Sequence, residues 1–160
     1  MELLFTPWRL AYVTSGAKDP GCVLCRALEQ AADPGSLVAH VAAHTFVVMN
    51  LYPYTGGHVM VTPKRHIATL AEAKSEELNE LMTLARKLEQ VFREVYKPEG
   101  INICMNLGRA AGAGIADHIH LHVVPRWHGD TNFMTSVSGT RVIPEDPEQS
   151  AARLRPHFQR

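Results

Sequence analysis

Apolar and polar positions change period along this chain, and each change marks an element. Between residues 75 and 96, Leu78, Leu81, Ala85, Leu88, Phe92 and Val95 recur at three- and four-residue steps among Glu, Lys, Arg and Gln. That spacing lays one apolar stripe along a helix, so it predicts a long amphipathic helix over this span. Ser75 is the expected N-cap, and Glu76 and Glu77 suit the positive end of the helix dipole. Pro98 and Gly100 should stop it. A shorter helix is expected over 22–32, ended by Pro34-Gly35, and a last one over 147–158.

Elsewhere the runs are short and rich in Val, Phe, Ile and Met. Residues 37–42 and 45–50 read as strands joined by a tight turn at His44. Leu51-Tyr-Pro-Tyr-Thr-Gly-Gly57 reads as a loop, and 58–63 as a strand closed by Pro63. Two more strands, 101–106 and 118–124, flank Gly108-Arg-Ala-Ala-Gly-Ala-Gly114. Strands this close in sequence, interrupted by one long helix, predict an α+β fold with the helix on one face of an antiparallel sheet. That face should include Ile119, Leu121 and Val123. One domain is expected over 1–160: an amino-terminal segment (1–36), a core (37–126) and a loop-rich tail (127–160).

The clearest departure from ordinary packing is the alternation of His118, His120 and His122 with those three aliphatics. Successive side chains of a strand point to opposite faces, so the imidazoles share one face. Each ring carries nitrogens that need partners, and burying a polar group without one costs roughly 2–7 kcal/mol. A metal or an anion is the expected neighbour.

Composition narrows the ligand. Sixteen basic and sixteen acidic residues cancel, so no global field favours a nucleic-acid polymer or an anionic membrane. A small anion remains compatible, because a local site can be positive within a neutral chain. No run approaches the ~20 apolar residues that span a bilayer, and the amino terminus reads as lacking a signal peptide, so a cytoplasmic protein is expected. Three cysteines, an odd count, argue against a disulfide framework.

His118-Ile-His-Leu-His-Val-Val matches His-x-His-x-His followed by two hydrophobics, and so resembles the histidine triad superfamily of nucleotide hydrolases and transferases. The stretch from Val47 to Pro63 resembles the other half-site of that family, and Gly108 with Gly112–Gly114 its phosphate-side loop. Phe5-Thr-Pro-Trp-Arg-Leu, Arg126-Trp-His-Gly-Asp-Thr-Asn-Phe-Met134 and Gly139-Thr-Arg-Val-Ile-Pro144 look like the branch of bacterial diadenosine tetraphosphate phosphorylases.

The resemblance implies a HIT-like fold, a homodimer with joined sheets, and a histidine that is nucleotidylated at the α-phosphate before a second acceptor releases the nucleotide. It places that nucleophile on His120, with His122 and His118 as the other catalytic members. A neutral imidazole is a competent nucleophile near neutral pH. Asn50 matches a ribose-contacting position; His58, Asn106, Gly112, Ala113 and Gly114 match nucleotide or phosphate positions. The glycines of that loop would let backbone amides line an anion site. Arg109 reads first as a solvated loop residue, and Phe5, Trp8 and Trp127 as core aromatics or base-stacking rings.

Cys22-Val-Leu-Cys25 has the spacing of a metal knuckle, but structural zinc needs four ligands. The resemblance supplies two more, His66 of Pro63-Lys-Arg-His66 and His118. A pair of reduced cysteines on a helix, or a redox pair without its usual βαβ setting, stand as alternatives.

The expected activity is cleavage of a dinucleoside polyphosphate with inorganic phosphate as acceptor and no organic cofactor. The alternative is a hydrolase acting on such compounds or on nucleoside phosphoramidates. His122 leans toward hydrolysis, because transferases of the superfamily often carry glutamine there. A nucleotide-binding regulatory module and a metal-storage protein are the non-enzymatic rivals.

Overall fold

The computed structural model describes residues 21–130 and 143–159. Its order is α1 (Val23–Glu29), β1 (Val38–Val41), β2 (Thr45–Met49), β3 (Val59–Pro63), α2 (Ser75–Val95), β4 (Gly100–Met105), β5 (Leu121–Arg126) and α3 (Pro147–Leu154). The strands form one sheet, ordered β1-β2-β3-β5-β4, in which every neighbouring pair is antiparallel. The architecture is therefore α+β, as the patterning requires.

The stripe on α2 packs where its period points. Leu81, Leu84, Ala85, Leu88, Val91 and Phe92 meet Val47, Met49, Val59, Val61, Leu121 and Val123 in one buried cluster, which Ala151 and Leu154 of α3 extend. On the other face, Leu24 of α1 packs on Val38, Phe46, Val48 and Met60. That second layer covers the β1–β3 end of the sheet, and the histidines lie beyond it.

Several boundaries differ from the sequence reading, each for a local reason. The first helix ends at Glu29 rather than Ala32, because Ala31 N–H and Asp33 N–H bond three residues back and tighten the chain into turns. The last α-helix stops at Leu154 and continues as a 3₁₀ turn over Arg155–Phe158. Pro156 has no N–H to carry the α ladder onward. At the start of α2, Lys74 rather than Ser75 is the N-cap, and its N–H is taken by the Glu77 carboxylate at 2.7 Å. That helix gives way at Lys97, in the left-handed region (φ 48°), and Gly100 already belongs to β4.

Most relevant to function, the histidine strand starts at Leu121, and His118 and His120 sit in its irregular lead-in. Ile119 is buried there but stands outside the α2 cluster.

Glu77 does more than cap. Arg65 Nε and Nη2 each donate to its carboxylate at 2.7 Å, fastening the Pro63–His66 turn to α2. The Arg65 guanidinium, with the Lys74 amide, holds this buried carboxyl well below the carboxylate range, at about 2. A depressed carboxylate stabilises the fold above its unfolded pKa, and that contribution is lost as pH falls from ~4.5 through about 2. Arg65 is half-exposed and screened, so the effect is on the order of 2 kcal/mol. Glu77→Gln should therefore flatten the loss of stability between pH 5 and pH 2, measured by denaturant melts. Parallel curves for both proteins would refute the assignment.

Candidate active site

His58, His118, His120 and His122 are all buried, and none is more than 4% exposed. Backbone groups of fixed donor or acceptor role hold His58, His118 and His120, and His58 in turn meets His122, so the tautomers of the neutral rings follow by elimination. The Tyr54 amide donates to His58 Nδ1 at 3.0 Å, which leaves the His58 proton on Nε2. That Nε2–H points at His122 Nδ1, 2.9 Å away, so His122 carries its own proton on Nε2. His120 Nδ1–H donates to the His118 carbonyl at 2.8 Å, leaving a lone pair on Nε2. His118 Nε2–H donates to the Pro63 carbonyl at 2.9 Å, leaving its lone pair on Nδ1. Burial, with the neighbouring His120, pushes His122 down to about 4, so it is a neutral donor at neutral pH.

The triad is thus divided. His120 and His122 lie side by side, ring centroids 4.9 Å apart, while the His118 ring meets the cysteines. Its Nδ1 is 3.3 Å from Cys22 Sγ and 3.6 Å from Cys25 Sγ; His66 Nδ1 is 3.5 Å from Cys25 Sγ. The four ligand atoms lie within 4.8 Å of one another. Tetrahedral bonds of ~2.0–2.3 Å separate N and S ligands by roughly 3.5 Å, so this set fits a Cys₂His₂ ion. Each imidazole is oriented from behind, as bound histidines usually are: His118 by the Pro63 carbonyl, His66 by Asp117 at 3.6 Å. Burial and the adjacent Cys22 push the Cys25 thiol up to about 11, a strain that a cation between the sulfurs would relieve.

The remaining expected residues fall unevenly. The Asn50 amide nitrogen lies 3.4 Å from His58 Nδ1, and its oxygen accepts from the Tyr52 amide at 2.9 Å. Asn106 follows Met105, the partner of Leu121 in the ladder, and so lies beside the lead-in that carries His120. The glycine loop is a 3₁₀ turn over Arg109–Ala111, with Gly108 and Gly112 at φ 82° and 92°. The Ala111, Gly112 and Ala113 amides donate to the Gly108 and Arg109 carbonyls, so these three are used inside the loop. Arg109 is exposed, and Trp127 packs edge-on to Tyr96 at 6.5 Å. Phe5, Trp8 and the segment 131–142 lie outside the described residues.

Two contributors escaped the sequence reading. Tyr54 covers His58, ring centroids 4.7 Å apart, and supplies the amide that sets its tautomer. Thr62 donates its hydroxyl to the Ile119 carbonyl at 2.8 Å. Thr62 shares a strand face with His58 and Met60, a two-residue spacing that marks it in retrospect. Beside the imidazoles, a cavity of about 600 Å³ opens among Leu24, Ala27, Val48, Met60 and Ile115. Met60 is the ladder partner of His122, so cavity and histidines are one strand apart.

Residues 34–129 match the HIT domain family. The chain belongs to the histidine triad family. A Mycobacterium tuberculosis protein named AP-4-A phosphorylase is 38% identical over 152 residues, covering 91% of this chain and 78% of its own. The crystal structure of a Zn-bound histidine triad family protein from Mycobacterium smegmatis superposes with a TM-score of 0.68 at 30% identity, over 88% of this chain and 94% of that one. A diadenosine triphosphate hydrolase from Plasmodium falciparum shares the fold, with a TM-score of 0.63 at 19% identity over 77% and 76% of the two chains. Among the described residues, no helix is long and apolar enough to cross a membrane.

Proposed function

We propose that this histidine triad protein is a nucleotide-processing enzyme that cleaves dinucleoside polyphosphates through a nucleotidyl-His120 intermediate, with inorganic phosphate as acceptor. The observation that carries the reading is the forced tautomer chain. It leaves His120 Nε2 with a free lone pair and gives His122 Nε2 a proton beside it.

In the first step His120 Nε2 bonds to the α-phosphorus as the bond to the bridging oxygen breaks. His122 Nε2–H then lies where it donates to the oxygen that gains charge. In the second step a phosphate oxygen attacks the same phosphorus, the P–N bond breaks, and the nucleotide leaves one phosphate longer. His58, behind His122, keeps its ring oriented throughout.

The apolar cavity suits a nucleoside base, since small-ligand sites are about 300–1,000 Å³ and mostly apolar. Asn50, Asn106 and Gly112–Gly114 flank the ribose and phosphates. In this reading His118 serves the reaction through its carbonyl rather than its ring.

Cys22, Cys25, His66 and His118 hold a zinc ion, as the donor set and its spacing support. Zinc supplies cross-linking here and takes part in no chemical step. The chain acts as a homodimer: β4 ends the sheet and exposes Ile103, with Leu107 exposed just past its end, an edge that pairing with a second copy would cover.

Incubation with diadenosine tetraphosphate, with and without inorganic phosphate, tests the reading. ADP plus ATP, formed only when phosphate is present, is the expected result. AMP plus ATP without phosphate would replace the acceptor by water, and no cleavage under either condition would overturn the proposal.

A further inference from the structure

Along β3, alternate residues share a face, so His58, Met60 and Thr62 look toward the same side of the sheet. The ladder between β3 and β5 pairs Val59 with Val123, Met60 with His122 and Val61 with Leu121, and ends there. One more step in the same register would set Thr62 opposite His120, and a second would set Pro63 opposite Ile119. The backbone takes a different course. Pro63 has no N–H to give a ladder, and its carbonyl accepts from the His118 ring instead. The Ile119 N–H goes to the Ile67 carbonyl at 2.8 Å, and the Ile119 carbonyl is taken by the Thr62 hydroxyl at 2.8 Å. A side chain thus replaces the backbone bond at the point where the strand lead-in leaves its neighbour.

The location gives that bond its consequence. The Ile119 carbonyl belongs to the peptide unit that joins Ile119 to His120, so fixing it fixes the plane from which His120 springs. The preceding peptide unit supplies the His118 carbonyl that accepts from His120 Nδ1. The two peptide units share the Ile119 Cα, and a rotation of one swings the other. Thr62 is fully buried, so neither water nor a mobile side chain stands ready to take its place.

We infer that Thr62 is a positioning residue for the nucleophile: its buried hydroxyl holds the Ile119–His120 peptide so that His120 Nε2 faces the reacting phosphorus. The role rests on the reading of His120 as nucleophile. Thr62 itself touches neither substrate nor the reacting atoms.

Thr62→Val keeps the shape of the side chain and deletes the donor, whereas Thr62→Ser keeps the donor. A misplacement of about 1 Å can cost ~100-fold, so Thr62→Val should lower kcat on diadenosine tetraphosphate by roughly 10- to 100-fold with KM changed less than about twofold. Thr62→Ser should stay within about threefold of the parent in both constants. The hydrogen-bonded Nδ1 proton of His120 should shift in the NMR spectrum of Thr62→Val and remain in place in Thr62→Ser.

Parental kcat in Thr62→Val, equal losses in the valine and serine variants, or an unmoved His120 signal would each overturn the inference. Should the valine variant not fold, Thr62→Cys, a weak donor of similar size, takes its place. A kcat below that of Thr62→Ser then supports the role, and equality rejects it. If the parent chain cleaves no dinucleoside polyphosphate, the functional reading has failed, and the His120 signal by itself decides the role of Thr62.

Discussion

Replacing His120 with asparagine should lower cleavage of diadenosine tetraphosphate by at least about 10⁴-fold, with the fold intact. Asparagine can still donate to the His118 carbonyl, so the local hydrogen bond to that acceptor survives. What disappears is the ring nitrogen whose lone pair faces outward. With it goes the division of one displacement into two, and water or phosphate would have to attack the phosphorus directly in a site arranged for another nucleophile. Steady-state turnover gives the magnitude. Rapid quenching followed by mass spectrometry gives the mechanism: the parent should accumulate a nucleotidyl adduct on the peptide containing His120, and the variant none. An Asn variant within tenfold of the parent, or an adduct on another residue, would move the chemistry elsewhere.

Stripping the metal, or making Cys25→Ser, should lower the melting temperature by roughly 10 °C. A ligand that binds only the folded chain at ~1,000 times its Kd contributes about 4 kcal/mol. For a chain of this size each kcal/mol moves the midpoint by about 2–4 °C. The ion would join three separate pieces: the start of α1 through Cys22 and Cys25, the turn after β3 through His66, and the β5 lead-in through His118. Without it, two thiols and two imidazoles face one another with only weak bonds among them. The measurement is a thermal melt of the zinc-loaded chain against the chelated one, with metal content determined on both. Equal midpoints, or protein purified without chelator that contains no stoichiometric zinc, would remove the ion from the account.

Much of this was legible in one dimension. The three- and four-residue spacing through Leu81, Ala85, Leu88 and Phe92 located α2 and its buried face, since a helix that must pack on a sheet leaves that period in the sequence. The strands near 45–49, 59–63 and 121–126 announced themselves through β-branched runs, with ends misplaced by a few residues. The Cys-x-x-Cys spacing and the resemblance together named four ligand candidates, and the fold brings those four together.

Alternation could not show that the histidines divide their work. Only the folded chain brings Cys22 and Cys25 to the His118 ring and sets His58 behind His122.

The chain by itself determined which residue types were available, how helix and strands would alternate, and that imidazoles would crowd one stretch near residue 120. Tertiary structure alone decided which nitrogen of each ring carries its proton. That choice depends on the Tyr54 amide and on the Pro63 and His118 carbonyls. The Pro63 carbonyl comes from a distant part of the chain, and the Tyr54 amide and His118 carbonyl reach their rings only through the path of a loop and of the strand lead-in, so folding aims all three. A hydrogen bond is directional and works over about 3 Å, so its partners are fixed by geometry in space, which no periodicity along the chain encodes.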